Sequence, residues 1–239
     1  MEARRLIIIF LFLSFLVSGS QSTTFTFKNN CPYPVWPGVL TGQGSAPSTG
    51  FELVSRASSS IVISAPWSGR FWGRTFCSTN SGSFKCLTGD CGSGQVACNG
   101  AGAIPPASLV ELTLATNGGK DFYDISLVDG YNLPVSIAPQ GGSDCSAVSC
   151  PANINSVCPS ELSFTAPDGQ VIGCRSACDK FKDPKYCCTG SYGSPSTCPP
   201  TNYSMFFKNQ CPQAYSYAYD DKTSTFTCTG SNYLITFCP

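Results

Sequence analysis

The chain has 239 residues, with 14 basic and 14 acidic side chains, no histidine and a formal net charge of zero. Such a balance gives no electrostatic grip on nucleic acid or an anionic membrane, and neither is expected as a partner. The absence of histidine excludes every nucleophilic triad that needs a histidine base.

In chain order, Arg4 and Arg5 precede an apolar run from Leu6 to Val17, then Ser18, Gly19 and Ser20. This is the charged, apolar and small-residue order of an export signal. Twelve residues fall short of the about 20 needed to span a bilayer, so no stable membrane anchor is expected. A signal peptide is assigned to 1–22, with cleavage after Ser20 or Ser22 equally acceptable. Its removal takes Glu2, Arg4 and Arg5 and leaves 12 basic and 13 acidic residues.

From Thr23 to Val39 the residues alternate, Phe25 and Phe27 against Thr24 and Thr26, a strand pattern closed by Cys31-Pro32 and Trp36-Pro37. Ser60–Ser64 and Arg70–Cys77 read as further strands. Residues 77–104 are rich in Gly, Ser and Cys and need local disulfides to hold them. Leu109–Ala115 and Phe122–Asp129 flank Asn117-Gly118-Gly119-Lys120 and read as a β-hairpin. Val110, Leu112, Leu114, Tyr123, Ile125 and Leu127 form its apolar face; Glu111, Thr113, Asp124 and Ser126 form the other. Symmetry about the turn segment would set Glu111 opposite Ser126 and diagonal to Asp124, about 7–8 Å away. Residues 145–211 are crowded with Cys, Pro and Gly, with one helix expected near Ser176–Lys182. Alternation then returns at Tyr215, Tyr217 and Tyr219, at Thr223–Thr229 and at Tyr233–Phe237.

All 16 cysteines follow the export segment. An even number in an exported chain implies eight disulfides, with roughly two million pairings open. Zinc is disfavoured without histidine in an oxidising compartment, so no metal and no cofactor are expected. With charged residues at 12% and 41 Gly and Pro, the chain favours turns over solvated helices. The expected fold is mainly β: a sandwich decorated by two disulfide-rich insertions. Its core is assigned to 23–74, 105–151 and 212–239, a small stapled region to 75–104, and a larger one with a short helix to 152–211.

The segment GSFKCLTGDCGSGQVAC at 82–98 resembles the signature of thaumatin-like proteins, plant pathogenesis-related family five. The likeness extends through NNCPYPVW (29–36), RFWGRTFC (70–77), DFYDISLVDGYNLP (121–134), CPANIN (150–155), YCC (186–188) and CPQAYSYAYDDKTSTFTC (211–228) to the closing FCP. The resemblance implies a flattened antiparallel β-sandwich and the pairs Cys31–Cys238, Cys77–Cys86, Cys91–Cys98, Cys145–Cys228, Cys150–Cys211, Cys158–Cys174, Cys178–Cys187 and Cys188–Cys198. It also implies an acidic cleft lined by Arg70, Glu111, Asp124, Asp129 and Asp221. The hairpin reading independently sets Glu111 and Asp124 on one polar face.

By resemblance, the cleft binds β-1,3-glucan or another fungal cell-wall polysaccharide in a secreted, extracellular (apoplastic), monomeric, antifungal defence protein. Weak endo-β-1,3-glucanase activity is the alternative, with Glu111 as acid and Asp129 as partner; inhibition of foreign hydrolases is a second. The plainer readings are carboxylates that hold sugar hydroxyls or a cation without turnover, and Arg70 as a structural partner of Glu111 or Asp221. Tyr215, Tyr217, Tyr219, Trp36, Trp67 and Trp72 are read as core rather than sugar platforms. Asn202-Tyr203-Ser204 is the only N-glycosylation sequon. The end at Phe237-Cys238-Pro239 offers no hydrophobic tail or retention signal, which supports the extracellular expectation.

Overall fold

Period-two burial builds the first strand, β1 (Ser22–Asn29), whose Thr23, Phe25, Phe27 and Asn29 are buried in turn. The computed structural model describes residues 21–239, so the export signal expected over 1–22 lies outside it except for Gln21 and Ser22. No helix of the described residues is long and apolar enough to cross a membrane. β1 is joined in one sheet by β3 (Ser58–Ser64), β8 (Val135–Gln140), β9 (Val148–Cys150) and β13 (Asn232–Phe237), in the order β3-β1-β13-β8-β9. The facing sheet runs β12 (Phe226–Thr229), β7 (Lys120–Ser126), β6 (Leu109–Leu114), β4 (Trp67–Asn80) and β2 (Trp36–Gln43), with β5 (Ser83–Thr88) on the far end of β4. Every named pair is antiparallel except β1 with β13, which is parallel over Phe25–Asn29.

The two sheets bury one apolar core between them. Phe25, Phe27, Ile137, Tyr233 and Ile235 come from one side, and Val39, Phe71, Val110, Tyr123 and Ile125 from the other. Phe25 sits at its centre, 5.0 Å from the Phe71 ring and 5.6 Å from that of Tyr233. Aromatic contacts in these ranges add to the area they bury. Trp67 and Trp72 are fully buried, whereas Trp36 is only half-buried and Tyr215, Tyr217 and Tyr219 lie outside the core, contrary to the reading from alternation. The tyrosine segment is a loop because Asp220 Oδ2 accepts from both the backbone N–H and the hydroxyl of Ser216, which turns the chain away from the sheet.

Eight disulfides staple the structure, in the same pairs that the resemblance implies. β4 continues past Cys77 to Asn80 and returns as β5, so a hairpin replaces part of the loop expected from 75 onward. The following loop closes over Trp72, whose indole N–H donates to the Gly89 carbonyl at 2.7 Å. Arg74 is fully buried there and donates to the carbonyls of Trp36, Pro37 and Val96. Its burial lowers the guanidinium to about 10, with Asp90 opposing; it still carries its charge at neutral pH.

The segment from 152 to 211 contains the short ribbon β10 (Ser163–Thr165) with β11 (Val171–Cys174) and three helices: α1 (Ala177–Phe181), α2 (Pro184–Cys187) and α3 (Asn202–Gln210). The expected helix is α1, capped by Ser176, which accepts from the Asp179 N–H. α3 was not anticipated; Thr201 and Ser204 close a reciprocal capping box at its start. A one-turn helix, α4 (Asp221–Ser224), also stands where strand was expected from Thr223.

Candidate functional site

The outward face of the second sheet carries one straight rung of side chains. Leu40 on β2 pairs with Arg70 on β4, Arg70 with Glu111 on β6, and Glu111 with Asp124 on β7. The neighbouring rung, Val39–Phe71–Val110–Ile125, is fully buried. Pleating therefore turns the charged rung away from the core. This register corrects the symmetric hairpin: Glu111 faces Asp124 directly, and Leu109 faces Ser126. Asn117 and Gly118 both have positive φ, 56° and 72°, and the Gly119 N–H donates to the Thr116 carbonyl. That is the Asn-Gly turn favoured in hairpins. It centres the hairpin between 117 and 118, moving each partner by two positions and preserving the face.

Arg70 lies between two carboxylates. Its Nε is 3.8 Å from Glu111 Oε1 and its Nη1 4.0 Å from Asp129 Oδ2, each side chain remaining more than a third exposed. Asp129 lies beyond the end of β7, where its carbonyl accepts from the Ala107 N–H and the Gly130 N–H turns back to Leu127. Asp221, at the start of α4, accepts a hydrogen bond from the Tyr215 hydroxyl at 3.0 Å. Arg70 thus serves Glu111 and Asp129 rather than Asp221.

Two adjoining hollows flank the rung and share Arg70, Glu111 and Asp124 as lining. One, of about 380 Å³, continues past Ser126 to Asp129 and Tyr215. The other, of about 350 Å³, is lined by Leu40, Thr41, Ser68, Thr113 and Phe122. Phe122 is half exposed and is the feature the sequence reading missed. Its signal was available, since it shares the parity of Asp124 on β7.

Burial raises the pKa of all three half-buried carboxyl groups around Arg70. For Glu111 Arg70 opposes the rise and Asp129 adds to it. For Asp129 Arg70 opposes it, Asp179 adds to it and Lys182 opposes it. Asp124 has no such counter-charge: burial, then Glu111, then Asp221 push it up to about 8. One of its oxygens, Oδ1, is buried without a hydrogen-bond partner. Crowded like charges leave one carboxyl protonated, and here that carboxyl is Asp124 rather than Glu111. Among the described residues no cluster of three or more His, Cys, Asp or Glu is arranged to hold a metal ion.

The profile of the thaumatin family matches residues 29–239. Thaumatin-like protein 1 of Pyrus pyrifolia is 69% identical over 227 residues, spanning 93% of each chain. A Prunus avium protein named glucan endo-1,3-beta-glucosidase is 61% identical over 226 residues, spanning 92% of each. Among solved structures, a laminaripentaose-producing beta-1,3-glucanase in complex with laminaritetraose aligns over 92% of this chain and 99% of its own, with a TM-score of 0.62 and 11% identity. That last likeness concerns fold alone. Profile and relatives agree: the chain belongs to the thaumatin family.

Proposed function

We propose that this protein is an exported plant defence protein that binds β-1,3-glucan of fungal walls in the recess around Arg70, Glu111, Asp124, Asp129 and Asp221. The observation that carries the reading is the open rung Arg70–Glu111–Asp124 with the exposed Phe122 ring beside it. Carboxylates and a guanidinium hold sugar hydroxyls in fixed directions, and an aromatic ring takes the apolar face of a pyranose. The relative named as a glucan endo-1,3-beta-glucosidase supports the substrate class.

A second reading, weak hydrolysis, is favoured by the protonation pattern. Asp124 holds a proton at neutral pH while Glu111 and Asp129 face Arg70. An acid beside an ionised carboxylate is the minimum set for glycoside cleavage. In that chemistry Asp124 protonates the departing sugar oxygen and Glu111 or Asp129 meets the developing positive charge, exchanging the acid role first assigned to Glu111.

Retention on laminarin tests the binding reading. Wild type is expected to be retained, and Phe122→Ala to lose roughly tenfold in affinity through the lost ring contact. Wild type that passes through unretained contradicts glucan binding and turns attention to inhibition of foreign hydrolases. Equal release of reducing sugar by wild type and Asp124→Asn rules out hydrolysis with Asp124 as the acid while leaving binding intact.

A further inference from the structure

Away from the charged recess, a groove of about 490 Å³ opens beside the far half of β4, lined by no charged side chain. Its volume falls within the ~300–1,000 Å³ of ordinary small-molecule clefts. Arg70 and Phe76 are six residues apart on β4, about 20 Å along an extended strand.

Two rings form one wall. Tyr33 and Phe76 lie with centroids 6.4 Å apart at an interplanar angle of 28° and are 39% and 45% exposed. Phe76 has φ of +54°, a left-handed conformation that is a genuine outlier for a bulky residue. Conformational strain of this kind persists where the surroundings enforce it and concentrates at functional positions. Here it keeps an aromatic ring at the surface beside another.

The floor is rigid and polar. Asn132 is buried; its Nδ2 donates to Gly73 O and Thr88 Oγ1, and its Oδ1 accepts from the Ser108 N–H. The Asn132 carbonyl accepts from Asn155 Nδ2 at 3.0 Å, and Asn155 Oδ1 remains buried with no partner. An orphaned acceptor of this kind is costly unless something satisfies it. Asn153 and Gln170 bring exposed amides to the rim.

We infer that this groove is a second carbohydrate site, built for an uncharged oligosaccharide and independent of the recess around Glu111. Paired rings offer a platform for the C–H face of a sugar, while amides accept from and donate to hydroxyls without demanding charge. An ionic ligand would be desolvated there with no counter-charge to meet it.

Titration of the mature chain followed by side-chain amide NMR tests the site, with the neutral hexasaccharides of β-1,3-glucose, β-1,4-glucose, β-1,4-N-acetylglucosamine and β-1,4-xylose as probes. At least one is expected to shift the amide signals of Asn153, Asn155 and Gln170. The double variant Tyr33→Ala with Phe76→Gly should weaken that binding by roughly tenfold or more through the lost ring face. Glycine suits the left-handed backbone at 76, so the fold is expected to be kept. Gln170→Ala, at an exposed position, should weaken it by roughly threefold through one lost hydrogen bond. Glu111→Gln should leave these shifts unchanged, which separates this site from the charged recess. No shift with any of the four sugars overturns the inference. So does undiminished binding in the double variant, or loss of these shifts in Glu111→Gln.

Discussion

Asp124 stands directly opposite Glu111, within the field of Asp221, and no cation of the described residues bridges to it. Its consequence is thermodynamic before it is chemical. A carboxyl whose folded value is about 8 binds its proton more tightly in the native state than in the unfolded chain, where the value is about 3.9. The native protein is therefore favoured below about pH 4, and that contribution drains away as pH rises towards 8. Asp124→Asn removes the titration. Wild type is expected to lose on the order of 1–2 kcal/mol relative to the variant between pH 4 and pH 8, after allowance for solvent screening. Urea midpoints at several pH values measure this; parallel profiles for the two proteins would contradict it. Sequence parity was enough to place Glu111 and Asp124 on one face. It could not show which would keep the proton, because that depends on Arg70 standing beside Glu111 and away from Asp124.

At the level of elements, the hairpin of β6 and β7 rests on its turn. Gly118 has φ of +72° and nothing lies within 4 Å of where a Cβ would project. Gly118→Ala therefore meets no clash and costs only the backbone preference, about 1 kcal/mol. Equilibrium denaturation reads that loss, and a variant as stable as wild type would show that the turn does not set the register. Alternation made β1, β3, β6, β7 and β13 legible, since each buries one face against the opposing sheet. α3 escaped although Tyr203, Phe206 and Phe207 carry the three-and-four spacing, because it spans only nine residues and its capping box uses Ser204 in place of the usual Glu or Gln. Alternation misled at Tyr215–Tyr219, where Asp220 bends the chain into a loop. Asp129 lines the recess from the turn after β7, whereas Asp221 stands outside that lining at the start of α4, so no periodicity pointed to either; only the family resemblance named them.

For the molecule as a whole, Cys31–Cys238 closes a loop of 207 residues across the parallel pair β1 and β13. Chain entropy assigns such a closure about 5 kcal/mol. The two strands remain hydrogen-bonded without it, so the double variant Cys31→Ser with Cys238→Ser is expected to lose less, about 3 kcal/mol. An unchanged urea midpoint would show that the strand pairing alone holds the ends. The bond also governs how the protein answers a pulling force. Tension between Ser22 and Pro239 acts on opposite ends of a parallel ribbon, so without the bridge it shears every rung of that ribbon at once. With the bridge intact the load passes through β1, across the sulfur link and out. Extension then stops after about ten residues, roughly 35 Å. Everything between Cys31 and Cys238 is mechanically bypassed, sandwich, recess and groove together, until a reductant cuts the strap.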